Sequence, residues 1–379
     1  MVTYARVLEK SIIESLKPGR VVLLVGARRV GKTVLINRIA EQFASEALVL
    51  NGEDFDTQAI LEKRSTANYR NVIGSHTLFI IDEAQKIPEI GAICKLMADS
   101  MPKLRILLTG SSAFDLKNRF GEPLTGRKIT FQLHPLSQEE FSALENPVET
   151  SGSLDKRIVF GNYPEVLHKD DTSSRIAYLK ELSEDYLLKD ILVYDGIRNA
   201  GKLRNLLRLI AFQIGKDVSY QELGKQLGMS KNTVEKYLDL LTKVFVLYKV
   251  EGFSRNLRKE ISKSSRWYFT DTGIRNVFTA NFSLPPLRQD MGALWENYII
   301  SERIKYLTHH NVLCNTYFWR TYDRQEIDWI EERDGNLHAF EMKWGNNKTA
   351  RVPAAWKKAY TNAAFKVIHP GNYLEWITE

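Results

Sequence analysis

Val21-Val-Leu-Leu-Val25 runs directly into Gly26-Ala27-Arg28-Arg29-Val30-Gly31-Lys32-Thr33-Val34, an apolar strand pattern followed by a glycine-bounded loop. Gly, four residues, then Gly-Lys-Thr is the Walker A spacing of a phosphate-binding loop. Glycine lets backbone N–H groups curl around phosphate oxygens where a Cβ would obstruct them. Lys32 is placed to reach β- and γ-phosphates, and the Thr33 hydroxyl to ligate Mg²⁺. Thr33 to Glu41 then reads as a helix whose positive amino end faces the phosphates. Residues Gly26 to Val34 are therefore the candidate ATP-binding segment.

A second apolar run, Thr77-Leu-Phe-Ile-Ile81, ends in Asp82-Glu83-Ala84-Gln85. This is the Walker B arrangement. Asp82, at a strand's carboxyl end, is expected to hold the Mg²⁺ shell with Thr33, and Glu83 to orient or deprotonate the attacking water. Two acids after an apolar strand are commonplace alone. About fifty residues after a phosphate-binding loop they are where the metal-holding acid is wanted.

The chain has 379 residues, enough for several domains, and its 44% hydrophobic and 26% charged content is that of a globular protein. No apolar run approaches the roughly twenty residues that span a bilayer. The start, Met1 to Lys10, is charged early and lacks a secretion core. Cys94 and Cys314 are too few for a disulfide framework or a zinc site. A cytoplasmic, reduced protein without membrane association is expected. Net charge is +7, and it is concentrated: residues 201–275 carry 15 Lys and Arg against 7 Asp and Glu. A localised basic stretch is the footprint of nucleic-acid contact, or else a solvated lysine-rich face.

The first 135 residues alternate strand and helix patterns, which implies a parallel sheet flanked by helices. Strands are expected at Ala47–Asn51, Arg105–Thr109 and Arg127–Leu133, and a helix from Pro88 to Ser100. Residues from about 136 to 199 read as helical, with a packed stretch from Tyr178 to Ile191. Ser219 and Ser230 are expected to cap two helices joined by a turn at Gly228-Met-Ser230. In the second helix Val234, Tyr237, Leu238 and Leu241 fall on one face, leaving Lys231, Asn232, Thr233, Glu235 and Lys236 outside. Strands at Val244–Val250 and Arg266–Phe269 flank a basic loop carrying Arg255, Arg258, Lys259 and Lys263. The pattern is that of a winged helix-turn-helix suited to DNA, with protein docking as the other use of such a module.

Beyond Asp290, a helix over Ala293–Leu307 carries Glu296 on its apolar stripe. Three strand-like runs follow, with Asp328 in the second and Glu341 and Lys343 on one face of the third. An acid on one strand and acid-x-lysine on the next is the arrangement of the PD-(D/E)xK nuclease fold. On that reading Glu296, Asp328 and Glu341 hold Mg²⁺ and Lys343 positions the water; a Glu–Lys pair on a sheet face is the alternative. The expected boundaries are 1–140 for the ATPase core, 141–200 for a helical lid, 201–285 for the winged helix and 286–379 for the last α/β domain.

Taken in this order, the pieces resemble a group of prokaryotic AAA-type ATPases with a carboxyl-terminal domain of unknown function. The matching stretches are Gly26–Thr33, Leu78–Gln85, Leu108–Ser112, Gly126–Thr130 with Pro135–Ser137, Gly161–Pro164, Tyr268–Gly273, Glu326–Asp328 and Glu341–Lys343. The resemblance implies ATP binding, an AAA-like core, a winged helix and a restriction-endonuclease-like terminus. AAA-type ATPases keep a γ-phosphate sensor at the end of the strand beside Walker B, which points to Ser111, with Ser112 next; an N-cap is the other use of such a serine. A homo-oligomer is expected, with Arg127 or Arg119 as the arginine offered to a neighbour's ATP.

Overall fold

The computed structural model describes residues 4–111, 124, 126–187, 199–255, 265–345 and 349–378. The chain divides into two compact units, Met1–Pro135 and Leu136–Glu379. Ser112, Arg119, Arg258, Lys259 and Lys263 lie outside the described residues.

In the first unit the chain runs α1 (Leu8–Ser15), β1 (Val21–Val25), α2 (Lys32–Phe43), β2 (Ala47–Asn51), α3 (Phe55–Glu62), α4 (Thr66–Ile73), β3 (Leu78–Asp82), α5 (Ile90–Ser100), β4 (Arg105–Gly110) and β5 (Lys128–Gln132). Among the described residues these five strands form one parallel sheet in the order β2-β3-β4-β1-β5. Every residue of β1 and β3 is buried. Strands covered on both faces cannot alternate polar with apolar, which is why β1 reads as an unbroken apolar run and β3 as one that ends only at Asp82. Leu23 sits in register between Leu108 and Thr130. The carboxyl ends of β1, β3 and β4 are therefore neighbours, and the loops leaving them share one edge of the sheet. Ligands of open α/β sheets bind at that edge.

Among its described residues the second unit holds a six-stranded sheet. Its strands are β6 (Leu247–Gly252), β7 (Ser265–Phe269), β8 (Asn315–Arg320), β9 (Glu326–Arg333), β10 (Asn336–Met342) and β11 (Ala364–Ile368). Their order is β11-β10-β9-β8-β6-β7. The hairpin β6–β7 is antiparallel, and β6 continues the sheet by pairing parallel to β8 at Glu251–Tyr317 and Gly252–Phe318. The hairpin strands expected for a wing and the strands expected after residue 286 thus share hydrogen bonds. Trp295, Tyr298, Ile299 and Ile300 of the helix Met291–His309 pack with Phe318, Trp329, Phe340 and Trp376 in its core.

Two short helices, Tyr220–Leu227 and Lys231–Lys243, are joined by the turn at 228–230. Ser219 Oγ accepts from the Glu222 N–H at 3.3 Å and Ser230 Oγ from the Thr233 N–H at 3.1 Å, so both caps form. Val234, Tyr237, Leu238 and Leu241 are buried, while Lys231, Asn232, Glu235 and Lys236 are exposed. The packed helix expected over Tyr178–Ile191 differs. An α-helix runs Thr172–Glu181 and widens into a π-helical turn over Leu182–Leu187, with residues 188–198 outside the described set. No helix among the described residues is long and apolar enough to cross a membrane.

Candidate functional site

The phosphate-binding loop is shaped by two glycines with different jobs. A Cβ on Gly26 would lie 2.2 Å from the Leu133 carbonyl oxygen, so the loop can pass the end of β5 only without a side chain there. Gly31 adopts φ +98° directly ahead of α2, a conformation that L side chains rarely take. The loop's back is tied by Arg6, a buried residue that the sequence did not bring into the site. Its Nη1 donates to the Val30 carbonyl at 2.7 Å and its Nη2 to the His134 carbonyl at 2.6 Å. Lys32 is 5% exposed, and its ammonium donates to the carbonyls of Gly26 and Ala27 at 3.0 Å each. The lysine is thus folded over the loop that it would share with phosphate.

Walker A and Walker B meet through one contact. The Thr33 hydroxyl donates to Asp82 Oδ2 at 2.6 Å, across 49 residues of sequence. Asp82 Oδ1 accepts from the Thr109 hydroxyl, which is fully buried on β4. Thr109 is a second residue that sequence reasoning passed over; it reads as an ordinary polar residue at the end of an apolar strand. Glu83 sits at φ +49°, held there by N–H bonds to Asp82 Oδ1 at 3.2 Å and Thr109 Oγ1 at 3.0 Å. A non-glycine residue in that region costs on the order of 1–3 kcal/mol and persists where its surroundings over-determine it. Gln85 donates from Nε2 to Glu83 Oε2 at 2.5 Å and to Ser111 Oγ at 3.1 Å. Ser111 is thus joined to the site and accepts a hydrogen bond from a side chain. Asp82 and Thr33 offer the hard oxygen donors that Mg²⁺ takes, so the donor set fits that ion.

Arg127 is not brought to this site. It immediately precedes β5, at the end of the sheet away from the phosphate-binding loop, is about half exposed, and pairs with Asp99.

The second unit's candidate residues cluster around an unexpected cation. Arg266, 2% exposed, lies 3.7 Å from Asp328 Oδ1, 2.7 Å from Glu326 Oε2 and 3.4 Å from Asp217 Oδ1, and it stacks 4.4 Å over the Phe318 ring. The Tyr268 hydroxyl donates to Glu296 Oε1 at 2.6 Å, and the Met342 N–H to Asp328 Oδ2 at 2.8 Å. Lys343 Nζ donates to Glu341 Oε1 at 2.6 Å, so those two do share a face. Each of the three acids expected to hold Mg²⁺ has a protein partner, and among the described residues no group of three or more His, Cys, Asp or Glu is placed to hold a metal ion. A carboxylate on an apolar helix face needs a partner, and Glu296 finds it in a tyrosine hydroxyl.

Burial, and then the charge of Asp328, push the Glu296 carboxyl up to about 8; burial, and then Glu341, push Asp328 upward too. A folded-state value above the ordinary 4.5 makes the neutral acid the favoured form. Its contribution to stability is full below that ordinary value and is lost as pH rises through the folded one. Chemical denaturation between pH 4.5 and 8 should therefore show stability falling with pH, and Glu296→Gln should flatten the slope. Identical slopes would remove Glu296 from the linkage.

Comparison with known proteins agrees with the geometry of the first unit. Residues 18–142 match the AAA domain family, while residues 151–284 and 291–379 match two domains of unknown function, DUF8612 and DUF4143. An uncharacterized protein of Mycobacterium tuberculosis is 27% identical over 362 residues, which cover 93% of this chain and 77% of that one. An uncharacterized protein of Methanocaldococcus jannaschii is 24% identical over 317 residues, 79% of this chain and 69% of its own. Among solved structures, a STAND-family signal transduction ATPase of Pyrococcus horikoshii aligns over 81% of this chain and 47% of its own, at 15% identity and a TM-score of 0.31. Thermotoga maritima RuvB aligns over 65% of this chain and 89% of its own, at 18% identity and a TM-score of 0.31. Residues 18–142 form an AAA-type, P-loop ATPase-like domain.

Proposed function

We propose that this chain binds ATP with Mg²⁺, hydrolyses it, and couples the cycle to DNA through the helix pair at residues 220–243. The observation that carries the ATPase reading is the 2.6 Å contact between Thr33 Oγ1 and Asp82 Oδ2, which places both Walker elements at one point. Thr33 and Asp82 are the residues that would hold Mg²⁺, which supplies neutralisation of charge on the phosphate oxygens. The backbone N–H groups of the loop and the amino end of α2 cradle the phosphates. The Lys32 ammonium exchanges its two carbonyl partners for phosphate oxygens. The Glu83 carboxylate orients the attacking water and takes its proton; the bond from the γ-phosphorus to the bridging oxygen breaks, giving ADP and phosphate. Charge-assisted hydrogen bonds of this kind are worth about 1.5–3 kcal/mol, so Lys32→Met should weaken nucleotide binding on the order of 10–100-fold. Unchanged affinity in a normally melting variant would take Lys32 out of the site.

The DNA reading is supported by the exposed Lys231, Asn232 and Lys236 on the second helix of the pair and by the excess of positive charge over residues 201–275. Phosphate contacts release counterions, so affinity for a duplex should fall steeply with salt. Replacing Lys231 and Lys236 together by alanine should reduce the logarithmic salt slope by about 2. A slope near zero in the unmodified protein would instead favour a module that docks protein. Nuclease activity forms no part of the proposal, since Glu296, Asp328 and Glu341 are engaged by Tyr268, Arg266 and Lys343.

A further inference from the structure

Gln85 is 4% exposed, and its amide stands between two groups of the proposed hydrolytic site. The amide nitrogen carries two hydrogens, and each has an acceptor: Glu83 Oε2 at 2.5 Å and Ser111 Oγ at 3.1 Å. The amide oxygen, Oε1, is buried without a hydrogen-bond partner among the described residues. Leaving a buried carbonyl unpaired costs about 1–3 kcal/mol. A side chain that bears this cost while both its N–H groups go to the Glu83 carboxylate and to Ser111 at the end of β4 is placed for those two contacts. Packing alone would be served as well by methionine.

We infer that Gln85 is a positioning residue that couples Ser111 to the Glu83 carboxylate. The inference rests on the ATPase reading above. With Oε2 fixed by Gln85, and with the Glu83 backbone fixed by Asp82 and Thr109, Oε1 is the oxygen left to face water. Ser111 accepts through its oxygen, so its own hydrogen stays available for a phosphate oxygen. An accepting hydroxyl is also the stronger donor, because chained hydrogen bonds polarise one another. A shift of Ser111 toward phosphate pulls on the same amide that sets the Glu83 carboxylate. Presence of the γ-phosphate is thereby transmitted to the group that handles the water.

The test is a double-mutant cycle with Gln85→Met and Ser111→Ala, reading kcat, KM and calorimetric ATP affinity on the full chain. Misplacing a reacting group by about 1 Å can cost on the order of 10²-fold, so Gln85→Met should lower kcat by about tenfold or more. ATP affinity should stay within about twofold, because Gln85 does not reach the loop that binds phosphate. The double variant should be about as slow as the slower single one, since both changes break one chain. Gln85→Asn, which keeps the amide but shortens its reach, should also lose kcat at unchanged affinity, and it guards against a folding defect peculiar to methionine. Unchanged kcat in either Gln85 variant, or strictly additive losses in the double variant, would overturn the coupling while leaving the ATPase reading intact. An unmodified chain that binds no ATP and shows no turnover would overturn both.

Discussion

Glu83→Gln should bind ATP as tightly as the unmodified chain and turn it over about 10²–10⁴-fold more slowly, the range a positioned general base contributes. The exchange is nearly isosteric. The backbone bonds that hold residue 83 in its left-handed conformation come from its N–H and survive the change. On the proposed reading, binding falls to other atoms, namely the loop amides, Lys32 and the Thr33–Asp82 pair. The loss should therefore appear in kcat with KM little altered, the signature of a group that acts after binding. Single-turnover rates measured with saturating ATP would check it. Normal turnover by the variant would mean that another group handles the water.

The largest effect on stability is expected at Arg303, far from any proposed chemistry. Arg303 is 2% exposed and meets the fully buried Glu331 bidentately, Nε to Oε1 at 2.7 Å and Nη2 to Oε2 at 3.0 Å. Its remaining nitrogen donates to the Trp376 carbonyl, and the guanidinium stacks on the Tyr306 and Trp376 rings. Burial works to raise the Glu331 carboxyl, but the hydrogen bonds and charge of Arg303 outweigh it and hold the acid below its ordinary range. Arg303→Ala leaves the buried Glu331 with the Trp329 indole N–H at 2.9 Å and the partly exposed Arg333 at 2.6 Å, and should cost about 3–5 kcal/mol. The pair Arg303→Met with Glu331→Leu removes both charges and should lose much less, because a matched apolar pair can replace a buried ion pair. Urea denaturation of the three proteins decides it. Equal losses in the single and double variants would show that packing, and not the buried charge, sets the cost.

What was legible in the chain follows from how local each cause is. The strands Val21–Val25 and Arg105–Gly110 could be read directly, because a buried parallel strand is an uninterrupted apolar run between breakers. The Walker elements were legible because phosphate binding requires glycines and a lysine at fixed spacing. Arg6, Thr109 and Gln85 were not, although each touches the site. Arg6 reaches a carbonyl 128 residues away, and Thr109 and Gln85 each act on a residue of the other segment. The motifs Gly161–Pro164 and Tyr268–Gly273 were visible but silent. In the structure they meet: Asp271 Oδ2 accepts from the Asn162 N–H at 2.7 Å, while its other oxygen caps the next helix at Gly273. Glu302 and Lys305 of the helix Met291–His309 are both buried, which nothing in the local pattern indicates. They pair with each other at 2.6 Å, and their other partners, the Gln138 N–H at 2.6 Å, Asn162 at 2.9 Å and the Leu136 carbonyl at 2.9 Å, all lie well over a hundred residues earlier. The partners of the carboxyl-terminal acids were hidden for the same reason. Periodicity put Glu296, Asp328 and Glu341 near one another, but it could not show Arg266 arriving from β7 beside Asp328.

Calorimetric titration of the folded full chain with ATP and Mg²⁺ bears most directly on the triphosphate pocket. Saturable heat for one nucleotide per chain, strongly weakened by Lys32→Met, is the expected result. Absence of binding by protein that still melts cooperatively would contradict it.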